Sequence, residues 1–189
     1  ACTSNVSSRI YLNPTESQAD LLQKTEYSST VAVSFLVDAG TMPRTAVVWV
    51  PYVESGAISG YVNESMKGKR FLKDGRTLLN TWLHDGFAQQ VIDKTAEEIF
   101  QLVKGELLQV CPWFSSASEL ENFDLQRWHQ AMPKFSHGHL GRVDRFLLDG
   151  QQGKNNVYLC GDYMNSLWVE GAIRCGQRTA RTVSYTHLT

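Results

Sequence analysis

Long hydrophobic runs are missing from this chain of 189 residues. The best candidate, residues 46–53, is broken by Pro51 and falls well short of the roughly 18 apolar residues that a membrane-spanning helix needs. No transmembrane segment is expected, and only peripheral membrane contact stays open. Charge of either sign is not in excess: 18 Lys and Arg stand against 19 Asp and Glu, a formal net charge of -1. No net field draws such a chain to phosphate backbones or anionic lipid, so nucleic acid is not an expected partner. Cysteine is sparse. Cys2, Cys111, Cys160 and Cys175 lack the close pairs of a zinc site and are too scattered for a disulfide framework. They read as reduced and mostly buried, an expectation that leans to an intracellular rather than a secreted protein. A Gly-x-Ser-x-Gly elbow is also missing, which removes the hydrolase reading that Ser115, Ser116 and Ser118 would otherwise invite. The chain opens on "ACTSN", with no initiator Met, basic leader or apolar signal core, and we expect a fragment whose upstream part is missing.

What is present suits a folded domain. Hydrophobic residues make up 42% of the chain, enough for a sizeable core. Asn13-Pro14-Thr15 supplies a turn and an N-cap for a short helix over 15–25. Four stretches rich in β-branched and aromatic residues follow: "STVAVSFLV" (29–37), "TAVVWV" (45–50), "AISGYVN" (57–63) and "RTLLNTWLHD" (76–85). Gly40, Pro43, Gly56, Gly68 and Gly75 punctuate them, which predicts an antiparallel, hairpin-linked sheet. Residues 94–110 read as an amphipathic helix with Ile99, Leu102 and Val103 inward, closed by Cys111-Pro112. "ELENFDLQRWHQAM" (119–132) reads as a long strand, 137–148 as loop and helix, 156–160 as a strand, and 168–183 as a helix.

The end of the chain carries the sharpest pattern. Val157 to Cys160 is a continuous apolar run, as in a parallel strand covered on both faces, and Gly161 ends it without a Cβ. A ligand could then approach that backbone closely. Asp162 stands just past the carboxyl end of the strand, where open α/β sheets place ligands, and its carboxylate suits sugar or polyol hydroxyls. In the following helix Ala172, Gly176 and Ala180 recur every four residues, with Gly171 and Cys175 beside them, a nearly side-chain-free stripe for close packing. The first turn offers unsatisfied N–H groups and the positive end of the helix dipole, and Glu170 suits that dipole without any catalytic role. His137 and His139 have no neighbouring Cys and no acid nearer than Asp144, so no metal site is expected. Trp128, Pro133 and His139 read as structural. Lys67, Lys69 and Arg70 read as a solvated hairpin face.

Together, "VYLCGDYMNSLWVEGAIRCGQRTA" resembles the carboxyl-terminal flavin-contact segment of the FAD-dependent amine oxidase and protoporphyrinogen oxidase superfamily. "RWHQAMPKFSHGHLGRV" (127–143) resembles the protoporphyrinogen oxidase segment in which Trp, Pro and Gly-His-Leu follow the last long strand of the substrate domain. "ACTSNVSSRI" resembles the strand end that leads out of the FAD domain, and "YSSTVAVSF" the first substrate-domain strand. The similarity runs from residue 1 to about residue 182.

The resemblance implies an α/β fold, α+β within this fragment: a mixed antiparallel substrate-domain sheet with helices, flanked by pieces of a doubly wound FAD-binding domain. The implied boundaries are 1–25 for an FAD-domain piece, 26–153 for the substrate domain and 154–182 for the carboxyl-terminal FAD-binding segment. The closing "VSYTHLT" (183–189) resembles translated sequencing-adapter text and is set aside as non-native. By the same resemblance Gly161 and Asp162 hold the ribityl and diphosphate region of FAD. Val169, Glu170 and Ala172 present helix-end groups to the isoalloxazine, and Trp168 takes the place of an aromatic that flanks the flavin face. The chemistry implied is hydride removal from a C–N or C–C bond of a small-molecule substrate, carried by the cofactor. Two departures stand out. No Gly-x-Gly-x-x-Gly finger occurs, so the ADP-binding half is absent from these residues, and the fragment alone is expected to bind FAD weakly or not at all. Residues 30–38 hold no Lys where amine oxidases keep one near the flavin, which favours protoporphyrinogen oxidase-like or desaturase-like dehydrogenation. The competing expectation is a non-catalytic binding module on the same scaffold.

Overall fold

A computed structural model describes residues 2–67 and 74–186. Gly68, Lys69 and Arg70, and the last three residues of the set-aside tail, lie outside the described residues. The described chain forms helices α1 (Ser4–Ile10) and α2 (Glu16–Gln23), and strands β1 (Glu26–Asp38), β2 (Val47–Trp49), β3 (Ile58–Asn63) and β4 (Arg76–Leu83). Helices α3 (Asp85–Val91) and α4 (Ala96–Val110), strand β5 (Glu121–Lys134), and helices α5 (His139–Leu148) and α6 (Trp168–Thr186) follow. The chain divides into two compact units, residues 1–28 with 130–189, and residues 29–129.

The unit of residues 29–129 is built on one sheet with strand order β2-β3-β4-β1-β5. β2–β3 and β3–β4 pair antiparallel as hairpin neighbours, and β1 pairs antiparallel with β4. Alternation in the sequence decides the faces. Register sets Val33 opposite Thr81, Phe35 opposite Leu79 and Val37 opposite Thr77. All six are buried, so they form one face. Ile99, Phe100, Val103 and Leu107 of α4 belong to the same core, and the Phe35 and Phe100 rings meet edge to face at 5.7 Å. Helix α4 starts on a capping box, with Thr95 accepting from the Glu98 N–H and Glu98 accepting from the Thr95 N–H. The inward row is Ile99, Phe100, Val103 and Leu107, while Leu102, expected inside, is 40% exposed.

Several expectations are corrected. Residues 4–10 form a helix rather than a strand end, with only Ser4 buried. The expected strand 76–85 stops at Leu83, because Asp85 opens α3, where Ala88 and Val91 face the core. Residues 156–160 are not a strand: a single 3-10 turn spans Lys154–Asn156 and the apolar run that follows has no ladder partner. A strand exists only where a neighbour accepts its hydrogen bonds, and the strands of this sheet all lie between residues 26 and 134. Residues 130–153, expected within the substrate domain, fall in the compact unit of the chain ends, where α5 packs on α2. Leu21 and Leu22 join Val143 and Phe146 in a core of their own. Cys111 and Cys175 are buried, whereas Cys2 and Cys160 are exposed.

Burial raises the Cys111 thiol from 9.0 to about 12, only partly offset by hydrogen bonding to Tyr61. The phenol of Tyr61 is also raised, chiefly by burial. A group with a raised folded pKa gives stability that is complete below its unfolded value and is lost as pH climbs through the folded one. The urea midpoint is therefore expected to fall between pH 9 and 12, and Cys111→Ala is expected to flatten part of that fall. An equally steep fall in the variant would show that Cys111 is not its source.

Candidate flavin-contact site

All six expected flavin residues lie in the unit formed by the chain ends. Gly161 is extended, with φ 159° and ψ 176°. A Cβ there would lie 2.6 Å from Cε1 of Tyr163, so the glycine is required by the chain's own packing before any ligand is considered. Tyr163 is 2% exposed, and its ring cannot retreat into solvent. Asp162 opens a 3-10 turn over Asp162–Met164. Its Oδ1 accepts the Tyr163 N–H at 2.9 Å, and its carbonyl accepts the Asn165 N–H at 3.2 Å. The carboxylate is half-buried.

Around this turn stand residues that the sequence pattern did not single out. The Ser4 N–H donates to the Tyr27 hydroxyl at 2.8 Å. Burial raises the Tyr27 phenol, hydrogen bonding to Ser4 opposes the rise, and the nearby Asp162 charge adds to it. Ser4 is fully buried and its Oγ has no partner. No local signal marks Ser4 or Tyr27, because their relation to Asp162 arises only in the folded chain. The turn is also gripped from α5: His139 Nε2 lies 2.6 Å from the Tyr163 carbonyl.

Helix α6 begins with uncovered residues. Trp168 is 61% exposed at a positive φ of 78°, a costly conformation for a residue with a side chain, and Val169 is 74% exposed. Glu170 forms an ion pair with Arg174 at 2.5 Å, both exposed. Ala172 is half-buried. The packed row of α6 is Gly171, Cys175 and Thr179, one residue earlier than the expected stripe of Ala172, Gly176 and Ala180. At Gly171 a Cβ would sit 1.7 Å from the Ser166 carbonyl oxygen, so the loop before the helix crosses its first turn in backbone contact. At Gly176 an added Cβ meets nothing within 4 Å.

A groove of about 740 Å³ in the same unit runs along α2 and α5 and is lined by charged groups including Asp20, Lys24, Arg142, Arg145 and Lys154. None of the six expected residues lines it. Among the described residues, no helix is long and apolar enough to cross a membrane.

The unpaired Ser4 hydroxyl, the half-buried Asp162 carboxylate and the uncovered apolar tip of α6 suit a ligand that joins a hydroxylated chain to a flat ring system. No curated protein matches the chain in sequence. Its fold is shared with a protein of Exiguobacterium sp. 255-15 assigned as a protoporphyrinogen oxidase, at 14% identity and TM-score 0.65, covering 87% of this chain and 36% of that one. Putrescine oxidase bound to putrescine is similar at 16% identity and TM-score 0.63, covering 98% and 42%. Reduced UDP-galactopyranose mutase is similar at 13% identity and TM-score 0.61, covering 87% and 35%. The chain thus spans about two-fifths of the first two structures it matches.

The two helix glycines predict opposite responses. Gly171→Ala is expected to destabilise by about 1–3 kcal/mol, because backbone must move to admit the methyl. Gly176→Ala is expected to stabilise by roughly 0.5–1 kcal/mol, as a helix-interior glycine with open space beside it. Thermal or urea unfolding of both variants reads the signs, and equal responses would contradict the packed row described above. The sequence model of the flavin containing amine oxidoreductase family matches residues 1–184, and the chain belongs to that family.

Proposed function

We propose that this chain is the carboxyl-terminal part of an FAD-dependent oxidoreductase that removes hydride from a C–N or C–C bond of a small organic substrate. The observation that carries the reading is the arrangement of the Gly161–Asp162 turn and the exposed α6 tip within one packed unit of a family member. Bound FAD would supply the hydride acceptor, chemistry that side chains do not provide. The residues of this chain bind and orient. The Asp162 carboxylate, fixed through the Tyr163 N–H, accepts hydrogen bonds from ribityl hydroxyls. The first-turn amides of α6 and the positive end of its dipole would stabilise negative charge on a bound flavin, an interaction of about 0.3–1 kcal/mol when exposed and up to ~2 when partly buried. Trp168 and Val169 lend apolar surface that excludes water from the ring face. Residues 30–38, within β1, contain no Lys, which favours protoporphyrinogen oxidase-like or desaturase-like over amine oxidase-like dehydrogenation.

The test is flavin content and substrate response of protein made from the complete reading frame. The purified protein is expected to be yellow and to bleach anaerobically with porphyrinogen more readily than with amines. Asp162→Asn, which keeps an acceptor for the Tyr163 N–H but removes the charge, is expected to weaken FAD binding about tenfold, the loss of one hydrogen bond to a charged group. Protein that takes up no flavin would instead support a non-catalytic module on this scaffold.

A further inference from the structure

Residues 157–163 run extended and then turn without a neighbouring strand, yet many of their backbone groups have partners. Three side chains hold alternate residues. The Gln152 amide pairs with Leu159 in both directions, Nε2 donating to the carbonyl at 2.6 Å and Oε1 accepting from the N–H at 2.8 Å. Cys175 Sγ accepts the Gly161 N–H at 3.5 Å. His139 reaches the Tyr163 carbonyl at 2.6 Å. In an extended chain alternate residues turn their N–H and C=O to the same edge, so Gln152 and Cys175 act where a strand partner would.

His139 is the most constrained of the three. It is fully buried, and its ring stacks on Phe135 at 4.9 Å with planes 10° apart. A carbonyl can only accept, so Nε2 carries the proton. Nδ1 is then an acceptor, buried and without a partner. An unpaired buried nitrogen is a standing cost, which a purely packing role for this position would avoid with Phe or Leu.

We propose that His139 is a positioning residue for the flavin site: it holds the Tyr163 carbonyl and so fixes the backbone of the residue whose own N–H orients the Asp162 carboxylate. The role rests on the reading that Asp162 meets the ribityl chain. His139→Phe keeps the stack on Phe135 and deletes the donor. His139→Gln places an amide N–H near the former Nε2, whereas the shorter His139→Asn does not reach. In protein made from the complete reading frame, three quantities are measured: FAD dissociation by fluorescence titration after flavin removal, amide hydrogen exchange over residues 159–165, and the thermal midpoint.

His139→Phe is expected to weaken FAD binding about tenfold, the equivalent of one lost hydrogen bond, and to speed exchange in that segment. His139→Gln should return affinity to within about threefold of the parent, a difference below one hydrogen bond. A structural role alone would lower the thermal midpoint without this split between Gln and Phe. Should His139→Phe not fold, the Gln and Asn pair decides: affinity retained in Gln and lost in Asn supports the role, and equal affinity overturns it. FAD uptake with unchanged affinity in His139→Phe overturns this role alone. A parent protein that takes up no FAD overturns the flavin reading and this role with it.

Discussion

An extended backbone with no strand beside it must find other partners for its N–H and C=O groups, and everything at this site follows from how residues 157–163 do so. The partners are side chains drawn from three places: Gln152 just upstream, His139 on α5 and Cys175 on α6. Each contributor is in turn anchored by packing. His139 and Cys175 are buried, and α5 joins α2 through the cluster of Leu21, Leu22, Val143 and Phe146. The turn at Asp162 is therefore tied to the core beneath it. In the proposed reading that anchoring favours binding, since a freely rotating acid would give up part of its binding energy to ordering.

The glycines of this segment have the same cause. Gly161 leaves room for the Tyr163 ring, and Gly171 admits the Ser166 carbonyl to the first turn of α6. Neither requires a ligand for its explanation. Their effect on the site is indirect: close backbone packing at Gly171 pins the loop before the helix, and the residues it leaves over, Trp168 and Val169, stand exposed at the helix tip. In the proposed reading the glycine pattern marks the scaffold of the site, and the exposed apolar pair marks its surface.

Much of the sheet was legible because alternation reads directly as faces. Thr77, Leu79, Thr81 and Leu83 of β4 are buried in strict alternation, and the N-cap Thr15 sits where helix α2 begins. What was not legible had no local signal. Helix α1 buries only Ser4, so its sequence carries no apolar period. The run 157–160 has strand composition but no ladder, because composition cannot report whether a neighbour exists. On α6 the small residues fall on two adjacent rows, and only the contact with Ser166 selects Gly171, Cys175 and Thr179 over Ala172, Gly176 and Ala180. The six site residues were placed by family resemblance, whereas Ser4, Tyr27, Gln152 and the grip of His139 emerge only from the fold.

The ionisable groups near the turn are already committed. Glu170 is tied to Arg174, Asp162 caps the Tyr163 N–H, and His139 spends its proton on the Tyr163 carbonyl. Tyr27 and Tyr163 are both pushed upward by burial, so their phenols stay neutral near pH 7. The side chains gathered here suit binding and orientation rather than acid–base work, which is the division of labour expected where a cofactor carries the reaction and the protein holds it in place.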